Sequence, residues 1–167
     1  TNHKVFSSEA KLGGIAIQDM HSVEGGLELE MFIAMDPPKH DQQRKAVTSA
    51  VAPSNLQLLE PTIRERACQI LDELPVGEDF DWVDKVSIEL TTMTLATLFD
   101  FPWEERRKLT RWSDITTAAP ETGIVESYDA RREELIECAM YFKGLWEQRI
   151  NEEPKNDLIS IMAHSPA

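Results

Sequence analysis

The chain has 167 residues and a formal charge of −13, and 41% of its residues are hydrophobic and 28% charged. This length and composition suit one globular domain with a hydrophobic core and exclude a disordered chain. The acidic balance argues against a nucleic-acid binder, because such proteins neutralise phosphates with Lys and Arg. No apolar run approaches the ~20 residues that a membrane-spanning helix needs.

The chain contains two cysteines, Cys68 and Cys138, which are far apart and each lie in a helical pattern. Their spacing is typical neither of a disulfide framework nor of a metal-binding motif. The first residues are not followed by the apolar region of a signal peptide. We therefore expect a protein of the reducing cytoplasm.

The first thirty residues are the least regular part of the sequence. Glycine pairs at positions 13–14 and 25–26 flank a short apolar run at residues 15–17. This pattern favours a loop that covers another part of the molecule, with at most a short strand.

Prolines and polar residues divide the next part of the chain into predicted helices. Asp36 is a good N-cap, and two prolines follow it, which predicts a helix over about residues 37–51. Pro61 is expected to begin the next helix, whose apolar residues recur at three- and four-residue steps as far as Leu74.

The remaining segments also predict helices. Residues 82–99 are apolar on most faces, which indicates a helix that is buried on several sides, and Glu104 favours the start of another helix. A long helix follows, and a short last helix begins after Asn156 or Asp157. The apolar stripe predicted for the long helix consists of Tyr128, Leu135, Ala139, Phe142, Trp146 and Ile150. The sequence therefore predicts an all-α protein without an internal repeat or a second domain.

The most informative segment for chemistry lies at the first of these helices. His40 and Arg44 are four residues apart, so they share one helix face. An imidazole and a guanidinium there could bind a carboxylate, because Arg can donate to both of its oxygens. On spacing alone, an exposed turn with scattered charges explains the same residues.

The residues around this pair resemble those of the cytochrome P450 family. Residues 35–38 (Met-Asp-Pro-Pro), followed by His40 and Arg44, are similar to the start of the C helix in bacterial members. Residues 31–41 resemble the subfamily that hydroxylates alkanes and fatty acids at the chain end. Similar blocks occur in the same order along essentially the whole chain, at residues 6–9, 13–15, 87–92, 98–102, 111–114, 157–160 and 163–166.

The resemblance implies a function for the full-length protein. It would be a cytoplasmic bacterial monooxygenase with haem b, supplied with electrons from NADH through a ferredoxin reductase and a ferredoxin. His40 and Arg44 would bind a haem propionate. Lys39 and Lys45 lie on the helix that faces the ferredoxin in this family, so we expect them to attract that acidic partner.

The resemblance also implies which residues lie near the haem and the substrate. They are Gly14, Ile15, Ile17, Ile33, Met35, Thr117, Ala118, Ile124 and Val125. Residues 117–125 would form a lid over an alkyl chain, which an apolar lining holds by shape and dispersion. Ordinary core packing remains the alternative for each apolar residue in this set.

The family also has a cysteine ligand that these residues do not supply. A haem-thiolate ligand lies in an exposed loop with glycine, whereas Cys68 and Cys138 both lie in predicted helices. We therefore expect residues 1–167 to be a partial P450 domain, incomplete at both ends, without catalytic residues or a metal ligand and inactive alone. The alternative is a non-enzymatic helical domain that binds a ligand or a partner.

Overall fold

The computed structural model describes residues 2–12 and 31–165. These residues form six α-helices and no strand, which confirms the predicted all-α class. The helices are α1 (Lys39–Thr48), α2 (Pro53–Asp72), α3 (Glu89–Phe99), α4 (Arg107–Thr117), α5 (Tyr128–Ile150) and α6 (Leu158–Ala163). Short 3₁₀ turns lie at Ala10–Leu12, Phe32–Ala34, Trp103–Glu105 and Pro120–Thr122, and a π-helical turn at Val83–Ile88 leads into α3.

Helix α1 is shorter than predicted at both ends, and Asp36 is not its N-cap. The helix begins at Lys39 and ends at Thr48, and no side chain caps its N-terminus. Asp36 instead accepts hydrogen bonds from the Ser7 hydroxyl at 2.6 Å and from the Ser8 amide at 3.0 Å. The carboxylate therefore ties the N-terminal segment to the residues that precede α1.

Helix α2 contains the proline that was expected to begin it. Pro53 lies in the first turn, where its missing N–H costs nothing, and Pro61 lies inside the helix. The prediction of a separate helix start at Pro61 was therefore wrong. An internal proline removes one backbone hydrogen bond, but a 20-residue helix that packs along α3 keeps the others.

The main core lies where α3, α4, α5 and α6 meet. Its buried apolar residues are Ala96, Phe101, Leu109, Trp112, Leu145 and Ile159. The Phe101 ring stacks on Tyr141 with 5.0 Å between centroids and lies edge-on to Trp112 at 6.2 Å. Burial of each large side chain contributes about 1.5–3 kcal/mol, so this cluster is the main support for the relative positions of the four helices.

Residues 82–99 are less enclosed than the sequence predicts. Trp82 and Val83 are more than half exposed, whereas Thr92, Met93 and Ala96 are buried. The helix therefore turns one face to α2, α4 and α6 and leaves its beginning open to solvent.

The face that helix α5 turns to the core matches the predicted stripe only in part. Leu135 is buried and Phe142 packs against the core as expected, but Trp146 and Ile150 are 36% and 50% exposed. The inner face instead includes Leu145 and ends at Arg149, both buried. A pattern of apolar residues cannot indicate a buried arginine, so the sequence did not predict that this end of the helix face is buried.

The last helix, α6, is capped by Asp157, which was one of the two predicted N-cap residues. Its carboxylate accepts a hydrogen bond from the Ser160 amide at 2.9 Å.

Candidate cofactor and substrate site

His40 and Arg44 lie one turn apart on α1. The His40 side chain is half-buried, its Nδ1 is 2.8 Å from Asp41 Oδ1, and its ring is 6.1 Å from that of Phe32. Arg44 is exposed, and among the described residues its guanidinium has no hydrogen-bond or ion-pair partner. The contact at Nδ1 leaves Nε2 as the His40 nitrogen that is available to a ligand.

This donor set fits one carboxylate of a haem. A guanidinium without an anionic partner and an imidazole on the same face can bind the two oxygens of a propionate. The local charge agrees with that function, because residues 37–48 carry a net charge of +2 in a chain of −13. Two further cations of this segment, Lys39 and Lys45, are exposed on α1.

The residues just before α1 differ in their exposure to solvent. In the 3₁₀ turn Phe32–Ala34, Ile33 is 49% exposed, whereas Met35 just after it is only 8% exposed. Ile33 is thus accessible to a ligand, and Met35 packs in the interior. Three other predicted pocket residues lie outside the described residues: Gly14, Ile15 and Ile17.

The turn between α4 and α5 is anchored in the interior at both ends. Ala118 and Val125 are buried in a small cluster with Ile115 and Leu135. Of the other residues predicted for the lid, Thr117 is exposed and Ile124 is 41% exposed. The structure therefore separates this predicted set into two core anchors and two residues that solvent can reach.

Two arginines contact the backbone at the two ends of this turn, one in the last turn of α4 and one at Ile124. Arg131 donates to the carbonyl oxygens of Ile115 at 3.0 Å and Thr116 at 2.6 Å. Arg111 donates from Nε to Glu134 at 2.8 Å, forms a second bond to the other Glu134 oxygen, and reaches the Ile124 carbonyl at 3.4 Å.

The Glu134 carboxylate also raises the pKa of the Arg111 guanidinium. The sequence pattern did not single out any of these contacts, since the partners are 13–23 residues apart and no helical spacing relates them.

Neither cysteine has the surroundings of a metal ligand. Cys68 is exposed on α2, and Cys138 is half-buried on α5, where burial raises the pKa of its thiol and so disfavours the thiolate. Within residues 2–12 and 31–165, no group of three or more His, Cys, Asp or Glu side chains is arranged to bind a metal. Among the helices of these same ranges, none combines the length and apolarity that a bilayer crossing requires.

Several known proteins that are similar in sequence and structure are cytochromes P450. The chain is 44% identical to cytochrome P450-153 from Novosphingobium aromaticivorans, with a TM-score of 0.82 over 99% of this chain and 40% of that one. It is also 44% identical to CYP153D17 from Sphingomonas sp. PAMC 26605, with a TM-score of 0.74 over 87% of this chain and 38% of that one.

A curated relative, the steroid C26-monooxygenase of Mycolicibacterium smegmatis, is 31% identical over 144 residues, which are 86% of this chain and 33% of the relative. No family model matches the chain. The chain spans about a third of the length of the first curated relatives that it matches. Homologues and structural neighbours together support the cytochrome P450 family.

Proposed function

Because its homologues and structural neighbours are cytochromes P450, we propose that this chain is part of a haem-dependent bacterial monooxygenase. The observation that carries the proposal is the 44% identity and common fold over 99% of the chain. Bound haem would supply the iron at which oxygen is activated. The described residues of this chain would bind that group at its periphery and cover the substrate.

His40 and Arg44 would hold the haem by one propionate. Arg44 would form a charge-assisted pair with the propionate. His40 would bind it as an imidazolium that donates from Nδ1 to Asp41 and from Nε2 to the propionate, with Phe32 beside the ring. Bonds of this type contribute about 1.5–3 kcal/mol each. The pair would thus orient the haem relative to the 3₁₀ turn that exposes Ile33.

The proposed substrates are medium-chain alkanes or fatty acids, hydroxylated at a terminal C–H bond with O₂. The likeness of residues 31–41 to the alkane and fatty-acid subfamily supports this substrate class. An alkyl chain offers no polar group along its length, so apolar side chains must hold it by shape and dispersion. Among the described residues, Ile33 and Ile124 are apolar side chains of the predicted pocket that remain accessible.

Electrons would reach the haem from NADH through a ferredoxin reductase and a ferredoxin in the cytoplasm. The exposed cations Lys39 and Lys45 on α1 support this proposal. They lie on the same helix as the propionate pair, and positive charge there would attract an acidic protein at long range. The remaining residues of the oxygenase, including its cysteine ligand, would lie outside these 167.

The proposal is tested with the full-length protein, a bacterial ferredoxin, its reductase and NADH. A panel of alkanes, fatty acids, linalool and a steroid is incubated with labelled O₂, and the products are analysed by mass spectrometry. We expect terminal alcohols that carry one labelled oxygen from the alkanes or fatty acids. Conversion of the steroid or linalool alone would overturn the substrate class. A full-length protein without haem and without any product would favour a non-enzymatic helical binding domain.

A further inference from the structure

The turn between α4 and α5 is held in two different ways at its two ends. Residues 119–124 lie between the buried anchors Ala118 and Val125. We infer that Arg111 and Glu134 form a releasable latch at one end of this turn, while Arg131 holds the other end fixed. The inference rests on the proposed function in one respect, because it takes the turn as the cover of the substrate.

Arg131 holds the end of the turn next to α4 by hydrogen bonds to backbone carbonyl groups. Its guanidinium donates to the carbonyl oxygens of Ile115 and Thr116 in the last turn of α4, where the Ile115 carbonyl also accepts from the Ala118 amide at 3.2 Å. A cation at a helix C-terminus also interacts favourably with the helix dipole. Ile115 is completely buried beside these bonds, so this end cannot move without unpacking the core.

At the other end of the turn, next to Ile124, Arg111 is held by a solvent-exposed ion pair with Glu134. The Arg111 and Glu134 side chains are 48% and 29% exposed, and the arginine donates to both carboxylate oxygens. The same guanidinium contacts the Ile124 carbonyl at 3.4 Å, so the ion pair holds a donor against the end of the turn. Exposed pairs of this kind are weak and are screened by salt.

A groove lies directly beside the latch. Its lining includes Arg111, Gly123, Ile124 and Glu134, and its volume is about 550 Å³. Gly123 has a φ of 72°, a left-handed conformation that suits glycine, and no atom lies within 4 Å of the position that a Cβ would occupy. Residues 119–124 therefore have room to move between the buried anchors Ala118 and Val125 when the ion pair opens.

Hydrogen exchange of the full-length protein tests the latch. The variant Glu134→Ala removes the carboxylate from α5, and Glu60→Ala is its matched control, since Glu60 forms an exposed ion pair with Arg64 elsewhere. We expect exchange in residues 118–126 to become about two- to fivefold faster in Glu134→Ala, the range that loss of an exposed ion pair produces. We also expect high salt to accelerate exchange there in the parent protein. Unchanged exchange, or an effect no larger than that of Glu60→Ala, would overturn the inference.

Binding kinetics test whether the latch acts on the site. With dodecanoic acid as the probe, we expect Glu134→Ala to raise the association and dissociation rates by similar two- to fivefold factors and to leave Kd within about twofold. Unchanged rates despite faster exchange would overturn the role of the latch in substrate entry. A parent protein that lacks haem or does not bind the fatty acid would instead contradict the proposed function, and the exchange result would still decide whether the latch exists.

Discussion

Arg149 is buried in the interior, although arginine is normally a surface residue. Only 4% of the residue is exposed. It donates to the Asp100 carbonyl at 3.0 Å, to the Asp100 carboxylate at 2.8 Å and to Glu152 at 3.2 Å, and its Nε lies 4.0 Å from Asp157 Oδ2. The side chain thereby joins α5 to the end of α3 and to the N-cap of α6.

Replacement of Arg149 should destabilise the protein strongly. Arg149→Met would leave the buried Asp157 carboxylate without its cation, so we expect the free energy of unfolding to fall by about 3–5 kcal/mol. Arg64→Met removes an exposed pair with Glu60 and should change it by less than about 1 kcal/mol. Urea unfolding of the full-length protein measures both values, and equal midpoints for the two variants would show that the buried network contributes little.

The phenol of Tyr141 should lose its proton at a higher pH than an ordinary tyrosine. Burial among aromatic rings and a hydrogen bond with Glu105 raise the pKa of its phenol to about 12. The folded protein therefore holds this proton more tightly than the unfolded chain, and the resulting stability is present below pH 10 and is lost between pH 10 and 12. In an ultraviolet titration of tyrosinate we expect a phase near pH 12 that is absent in Tyr141→Phe. The same phase in that variant would disprove the assignment.

For some features of single helices, the spacing of residues in the sequence was sufficient for a correct prediction. His40 and Arg44 belong to one helix, so their separation alone placed them on a common face. Asp157 was recognisable as a cap because a cap acts on the next few residues. These features depend only on residues within one helical turn.

Features that depend on distant residues could not be predicted in this way. Asp36 bonds to Ser7 and Ser8, which are 29 and 28 residues away, so a side chain that would make a good N-cap has other partners. Packing against α4 and α6 determines which face of α5 is buried, and on that helix Arg149 is buried whereas Ile150 is exposed. A pattern of apolar residues contains neither kind of information.

The attachment of the N-terminal segment should depend on pH. Hydrogen bonds from Ser7 and Ser8 lower the pKa of the Asp36 carboxyl below its usual 3.8. Because the folded pKa is the lower one, these bonds stabilise the attached segment above about pH 3.8 and are lost as the pH falls through the folded value.

Hydrogen exchange over residues 2–12, corrected for intrinsic rates, measures this attachment. We expect faster exchange below pH 3.8 in the parent protein, and faster exchange already at pH 7 in Asp36→Ala. An attachment that is independent of both pH and this substitution would contradict the contact.

At the scale of the whole molecule, many large apolar side chains of the described residues are exposed. Examples are Val76 at 97%, Phe6 at 71%, Leu58 at 69% and Met140 at 58%. Exposed apolar side chains mark a contact site where they form a contiguous patch. Under the proposal that residues 1–167 form part of a larger domain, other helices of that domain would cover these side chains.

The isolated chain should therefore behave as an incomplete core. We expect residues 1–167 expressed alone to bind a hydrophobic dye and to associate, and the full-length protein to do neither. Dye fluorescence and light scattering of the two proteins at equal molar concentration make the comparison. A monomeric chain that unfolds cooperatively and ignores the dye would show that these residues fold independently.

Haem retention in the full-length protein tests whether His40 and Arg44 bind a haem propionate. The double variant His40→Ala with Arg44→Ala removes both proposed propionate partners, and Gln43→Ala on the same exposed helix is the control. Transfer of haem to an excess of apomyoglobin gives the rate of haem loss. We predict that the double variant loses haem at least about tenfold faster than the parent protein, because charge-assisted hydrogen bonds contribute about 1.5–3 kcal/mol each, whereas Gln43→Ala matches the parent. Equal rates for the parent, the double variant and the control would contradict the assignment of His40 and Arg44.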